Sequence, residues 1–254
     1  MSRQEEMAAA VQSETIVDAD FHLHVPTSAL FEYVEDDAIR EKLESAGAPP
    51  APKMGWSIGY ATDLDFSTHV RPQGAAVNGE EIRAEMESLG LDSVVVVAGT
   101  HLPFVGSRFH PVREALMRAY NDYVVDNVVD VENGVYASLV LPKRNPERAL
   151  DELDRHGDHP GFVAAQNWYA PNRLWGDAKF DPIFERLAEL DLPLCLHVGG
   201  VPRARYDLVE DSMETYPEYM VTNVGHQVLA NVTNMVFTGV FERYPDLNVA
   251  LQEG

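Results

Sequence analysis

The stretch Thr15-Ile16-Val17-Asp18-Ala19-Asp20-Phe21-His22-Leu23-His24 decides the fold of this chain. Its apolar, β-branched beginning predicts a short strand near the N-terminus. Side chains two residues apart on a strand share a face, so Asp20, His22 and His24 point one way and the apolar residues between them point the other. Two imidazoles on one face of a strand can bind a divalent metal ion from one side. The alternative at this point is a His-x-His pair that occurs by chance and binds no metal.

The rest of the chain alternates between helix and strand patterns. Further strands are predicted at 92–98, 134–141, 161–166, 192–197 and 247–252. Helices are predicted at 28–46, 78–90, 111–131, 145–156, 181–190 and 225–243. This alternation is typical of an α/β protein with a parallel sheet and right-handed crossovers. Because a closed (β/α)₈ barrel needs eight strands, we predict a TIM barrel of the metal-dependent hydrolase type with about six of its eight units present, truncated at the C-terminus.

The domain organisation follows from the same pattern. Residues 1–14 are polar and alanine-rich, which predicts a disordered lead-in. Residues 15–254 are predicted to form one barrel domain that is incomplete at its C-terminus. Within it, residues 47–79 begin with a proline-rich patch and are too long for a plain connector, so we expect a loop insertion that acts as a lid or a subunit contact.

The composition restricts the partners and the compartment. The chain has 41 acidic and 19 basic residues and a net charge of −22, which argues against nucleic acid and anionic membranes as partners. No apolar run approaches the length of a membrane span. The single cysteine, Cys195, excludes an internal disulfide and favours a reducing, cytoplasmic location. An acid-rich, lysine-poor surface indicates a halophilic protein, and an ordinary acidic cytosolic protein is the alternative.

Candidate catalytic groups lie where the predicted strands end. His197 ends the fifth strand and Glu253 follows the sixth, and in a barrel the carboxyl ends of all strands line one pocket. We therefore expect His197 and Glu253 to meet His22 and His24. Histidines and a carboxylate around one divalent ion can activate water or polarise a substrate oxygen. A buried structural histidine is the alternative reading of His197.

Weaker candidates surround this set. His101 follows the second strand, Asn167 and Trp168 follow the fourth, and Arg203 follows His197 closely, so all four are predicted to contact a small-molecule substrate. Packing of loops, or a solvated loop in the case of Arg203, is the alternative. Asp20 is predicted to support a metal ligand from behind, with a structural carboxylate at the bottom of the barrel as the alternative.

Seven motifs in a fixed order extend this interpretation over nearly the whole chain. They are Asp20–His24, Ser88–Asp92, Ala119–Tyr123, Leu141–Pro142, Phe180–Ile183, Leu192–His197 and Gly239–Leu247. With these motifs the chain resembles the amidohydrolase superfamily, and within it the amidohydrolase-related group that includes aminocarboxymuconate-semialdehyde decarboxylase. Each motif alone is weak, whereas the ordered set is specific.

The resemblance implies a mononuclear metal centre, commonly zinc. The metal-binding histidines of the family fall on His22, His24 and His197, and the final aspartate ligand of the family would lie beyond Gly254. The decarboxylases of the family carry a catalytic histidine after strand six, where this chain has Glu253, which could act as the general acid and base.

The resemblance also implies a function. We expect a metal-dependent carboxy-lyase that acts on a small carboxylic acid. A metal-dependent hydrolase of a small substrate with a C–N, C–O or C–C bond is the alternative. A third possibility is a non-catalytic fragment or a half-barrel that needs a partner chain, and a homo-oligomer stays open.

Overall fold

The sheet contains six strands in the described part of the chain. The computed structural model describes residues 14–23, 25–46, 78–99, 110–169, 173–197 and 216–252. The strands are β1 (Val17–Leu23), β2 (Ser93–Ala98), β3 (Val135–Val140), β4 (Phe162–Trp168), β5 (Leu194–His197) and β6 (Val249–Gln252). The predicted strand positions are therefore confirmed, with ends that differ by no more than two residues.

Helices separate these strands along the chain. The α-helices are α1 (Asp37–Ala46), α2 (Gly79–Leu89), α3 (His110–Asn127), α4 (Pro146–His156), α5 (Asp181–Glu189), α6 (Tyr216–Phe237) and α7 (Val240–Arg243). Short 3₁₀ helices cover Thr27–Tyr33, Val131–Asn133 and Ala178–Phe180. In the described ranges, no helix combines the length and the apolarity that a membrane span requires.

All neighbouring strands are parallel, and their order in the sheet is their order in the sequence. This is the topology of a (β/α) barrel with about six of its eight units. The sheet curls so far that the side chain of Gln252 on β6 donates a hydrogen bond of 2.8 Å to the carbonyl oxygen of Ala19 on β1. The first and the last strand are therefore linked through one side chain.

Strand alternation separates the apolar core from the interior of the curl. On β1, Phe21 and Leu23 are buried in the hydrophobic core, whereas Asp20 and His22 are only partly buried on the other face. The apolar run of β2 packs the same core with Val94 and Val96. The period of two therefore directs apolar side chains toward the helices and polar ones into the site.

A buried polar network connects α3, β3 and α4. The Asn121 side chain donates hydrogen bonds to the Val140 carbonyl oxygen (3.0 Å) and to the Glu152 carboxylate (2.7 Å), and it accepts one from the Val140 amide (2.9 Å). Arg118 and Arg155 donate to the same carboxylate at 3.2 and 2.8 Å. Because the Asn121 amide bonds both the amide and the carbonyl of Val140, this network holds the C-terminal end of β3 in a defined position.

Two predicted helices are each divided in the structure. The helix expected at 28–46 consists of a 3₁₀ helix and α1, because Val34 is extended and the Asp36 side chain accepts a hydrogen bond from the Ile39 amide that starts a new helix. The helix expected at 225–243 starts earlier, as α6, and stops before Gly239. This glycine has a φ of +71° and separates α6 from α7.

The predicted loop insertion and the predicted lead-in remain untested. Residues 1–13, 47–77 and the last two residues lie outside the described residues. The described chain resumes at Asn78, whose side chain accepts a hydrogen bond from the Glu81 amide and caps α2 as the capping pattern predicts.

Candidate metal centre

Three side chains from two distant parts of the sequence meet inside the curl of the sheet. The Nε2 atoms of His22 and His197 lie 3.0 Å apart. Asp20 Oδ1 lies 3.6 Å from His22 Nε2 and 3.4 Å from His197 Nε2. The three atoms are therefore close enough together for one metal ion to bind all of them.

The strands explain this convergence. Asp20 and His22 are two residues apart on β1 and so share its inner face. His197 is the last residue of β5, and its side chain is completely buried. Since β1 and β5 are not adjacent in the sheet, only the curl brings the two groups together.

The electrostatics of the cluster favour a bound cation. Burial opposes the ionisation of Asp20, yet the adjacent imidazoles of His197 and His22 outweigh it and hold the pKa of this carboxyl well below its usual range. Asp20 Oδ1 is buried and has no hydrogen-bond partner among the described residues. An ionised carboxylate within 3.6 Å of two imidazole nitrogens suits a divalent ion, so the residues fit the metal that the sequence predicts.

Cys195 lies two residues before His197 on β5 and is buried. Burial, together with the charge of Asp20, raises the pKa of its thiol to about 11. The thiol therefore stays protonated near neutral pH. Because the thiolate is the form that binds metal, Cys195 is a poor metal ligand.

Two predicted substrate contacts lie at the carboxyl end of β4. Trp168 pairs with His197 in the register of β4 and β5, so both side chains face the same side of the sheet, and Trp168 is buried in the core. Asn167 uses its amide within the protein. It donates to the Leu141 carbonyl oxygen and accepts from the Trp168 amide at 2.8 Å. These hydrogen bonds give Asn167 a structural role, because they tie the end of β4 to the turn after β3. Contact of Asn167 with a substrate stays a prediction.

Four other predicted site residues lie outside the described residues. They are His24, His101, Arg203 and Glu253. His24 comes directly after β1, and Glu253 directly after β6. Their roles therefore rest on their places in the sequence.

The structure changes the predicted place of one site residue, Asp20, and adds one group, Gln252, that the sequence interpretation did not assign to the site. Asp20 lies beside the imidazoles as a ligand would, a position already suggested by its two-residue spacing from His22. Gln252 pairs with His197 in the register of β5 and β6 and binds β1. No local pattern predicts that contact, because it depends on the closure of the sheet.

The chain matches the family model described as amidohydrolase over residues 17–254. A gamma-resorcylate decarboxylase from Polaromonas sp. (strain JS666 / ATCC BAA-500) is 24% identical over 209 residues, which are 77% of this chain and 60% of that relative. The chain thus spans about 60% of the length of this relative.

Solved structures share the fold. An amidohydrolase from Mycobacterium avium subsp. paratuberculosis K-10 has a TM-score of 0.69 at 16% identity, over 95% of this chain and 72% of that one. The 5-carboxyvanillate decarboxylase of Novosphingobium aromaticivorans DSM 12444 has a TM-score of 0.65 at 18% identity, over 94% of this chain and 65% of that one. That structure is complexed with manganese and 4-hydroxy-3-methoxy-5-nitrobenzoic acid. A 2,6-dihydroxybenzoate decarboxylase from Rhizobium has a TM-score of 0.58 at 15% identity, over 94% and 66%.

These structural similarities concern the fold, since all three identities are low. The family model covers nearly the entire chain. This protein therefore belongs to the amidohydrolase family.

Proposed function

We propose that this chain carries the metal centre of a carboxy-lyase that removes the carboxylate of a small hydroxylated aromatic acid. The convergence of Asp20, His22 and His197 on one point is the observation that carries the proposal. The curated relative acts on gamma-resorcylate by its name, and two structural neighbours are decarboxylases of related benzoates. These relatives support the substrate class.

We propose Asp20, His22 and His197 as metal ligands, with His24 as a further ligand. A divalent ion in this set supplies Lewis acidity toward a substrate oxygen. A carboxylate with imidazoles suits zinc, our first choice, and also manganese, which the 5-carboxyvanillate decarboxylase contains.

In the proposed reaction the bond between the ring carbon and the carboxylate carbon breaks, and the carboxylate leaves as CO₂. Its electron pair stays on the ring carbon, which takes up a proton in exchange. Glu253 is the proposed proton carrier, because it follows β6 at the carboxyl edge of the sheet. Trp168 is the proposed wall of the pocket, because it neighbours His197.

Hydrolysis is the second candidate, because a carboxylate stands where the family's decarboxylases carry a histidine. In that case Glu253 would take a proton from an attacking water. A fragment or half-barrel that is active only with a partner chain is the third.

The assay that tests the proposal supplies 2,6-dihydroxybenzoate to protein reconstituted with zinc or manganese, in molar salt. We expect release of CO₂ together with resorcinol, both lost on chelation of the metal. Bound metal without turnover of this acid, but with cleavage of amide or ester substrates, would favour the hydrolase. Protein that binds no stoichiometric metal would favour the fragment.

Two substitutions separate the proposed ligands. Asp20→Asn removes the charge of a side chain that lies 3.4 Å from His197 Nε2, so we expect metal affinity to fall by about tenfold or more. His24→Gln tests the histidine that sequence periodicity predicts. Metal titration of both variants identifies the ligands, and unchanged affinity in Asp20→Asn would remove Asp20 from the set.

We also propose a cytoplasmic, halophilic protein, with a small molecule as its substrate and without nucleic acid or membrane partners. The net charge of −22 and the single cysteine support this assignment.

A further inference from the structure

A group of basic side chains without ion-pair partners lies at the carboxyl edge of the sheet, away from β1 and β5. Arg113 lies in the first turn of α3, and Lys143 and Arg144 lie in the turn after β3. None of these three side chains forms an ion pair within the described ranges. This is unusual here, because every other described arginine is paired with a carboxylate. Those paired arginines are Arg40, Arg83, Arg118, Arg148, Arg155, Arg173, Arg186 and Arg243.

Lys143 is the most unusual member of this basic group. Only 5% of it is exposed, and its Nζ has no hydrogen-bond partner in the described structure. Nζ lies 4.4 Å from the ring centroid of Trp175 and 5.0 Å from that of Phe180. The rings offer a cation–π contact, yet they leave all three N–H donors without an acceptor.

The surroundings make these positive charges more costly. Arg113 and His110 occupy the N-terminal turn of α3, an 18-residue helix without an acidic residue in that turn, where the helix dipole already favours negative charge. His110 Nδ1 is also buried and has no hydrogen-bond partner in the described part of the chain. Burial lowers the pKa of Arg113, and the charge of Arg144 lowers it further.

The nearby carboxylates do not neutralise the group. Glu114 acts on Arg113 and Asp177 acts on Lys143, but neither pair forms a salt bridge. Asp177 is instead bound to Arg173 at 2.9 Å. Burial and the charge of Arg113 together lower the pKa of Lys143 to about 7. The chain has a net charge of −22, yet these positive side chains have no ion-pair partner in the described ranges. We therefore expect them to attract an anion from solution.

We propose that Arg113 and Lys143 form a binding site for a small oxyanion, a carboxylate or a phosphate. The guanidinium and the ammonium supply charge-assisted donors, the N-terminus of α3 adds its dipole, and the rings of Trp175 and Phe180 keep water from Nζ. Arg144 is exposed and extends the positive field toward solvent. The site lies at the same edge of the sheet as His197, and its existence does not depend on the proposed reaction.

The test replaces chloride with inorganic phosphate at pH 6.5 and constant ionic strength, and it follows the melting temperature and the heat of binding. We expect saturable stabilisation of the wild type. The phosphate Kd should be weaker by about tenfold or more in Arg113→Gln and in Lys143→Met. Arg148→Gln, in an exposed ion pair on α4, is the matched control and should respond like the wild type.

A second control excludes the metal centre. His197→Gln should keep the phosphate response, since it leaves the basic group intact. An equal response in all four variants, or a loss confined to His197→Gln, would overturn the proposal. Arg113 is only partly buried, so Arg113→Gln remains informative if Lys143→Met does not fold.

The source of the oxyanion is decided by competition. If 2,6-dihydroxybenzoate displaces phosphate from His197→Gln protein, the site binds the carboxylate of an organic acid. If phosphate binds without competition, the site takes free inorganic anions. Both results support the site, and the absence of phosphate binding to the wild type contradicts it.

Discussion

Replacing His197 with glutamine is expected to reduce metal affinity by more than about 100-fold. We expect turnover to fall by at least the same factor. His197 has no exposed surface, and its Nε2 lies within 3.4 Å of both other ligand atoms. Loss of a group that only supports a ligand already costs about 10- to 100-fold in metal affinity, so loss of a ligand should cost more. The metal content of purified protein and titration with zinc or manganese measure this effect.

The control for this substitution is His159→Gln. His159 lies before β4, at the opposite end of the strands from His197, and its Nδ1 accepts a hydrogen bond from the Gly161 amide. We expect this variant to keep its metal. A His197→Gln protein that melts cooperatively and binds metal like the wild type would contradict the proposed centre, because β5 would then supply no ligand.

Replacing Lys143 with methionine is expected to change how stability depends on pH. Burial and the charge of Arg113 lower the pKa of Lys143 from its usual 10.5 to about 7 in the folded protein. Between these values the unfolded chain binds more protons than the folded one, so stability rises with pH. Below pH 7 both states carry the charge, and the folded state bears the full cost of burying it.

The wild type should therefore gain about 3 kcal/mol of stability relative to Lys143→Met between pH 7 and pH 10. Urea denaturation of both proteins, at several pH values in sodium chloride without phosphate, measures the difference. Lys179→Met, at an exposed position in the same region, is the control and should track the wild type. A difference between wild type and Lys143→Met that stays constant with pH would mean that Lys143 titrates normally.

The strand and helix order was predictable because it depends on local periodicity. Alternation along β1 places Asp20 and His22 on one face, and the β-branched run of β2 indicates a buried strand. The division of the predicted helix at 28–46 was not predictable in this way. It depends on an extended Val34 and a capping Asp36, for which a continuous helix pattern gave no signal.

The sequence by itself determined the family, the parallel order of the strands and the face of β1 that carries the ligands, because each follows from motifs or from a period of two. Only the tertiary structure decided that Asp20 approaches His197, that Gln252 connects β6 to β1, and that Lys143 is buried against the rings of Trp175 and Phe180, where the charge of Arg113 acts on it. The physical reason is the curl of the sheet and the packing of its connecting turns. Both bring together residues that are 30 to more than 200 positions apart, a proximity that no local pattern records.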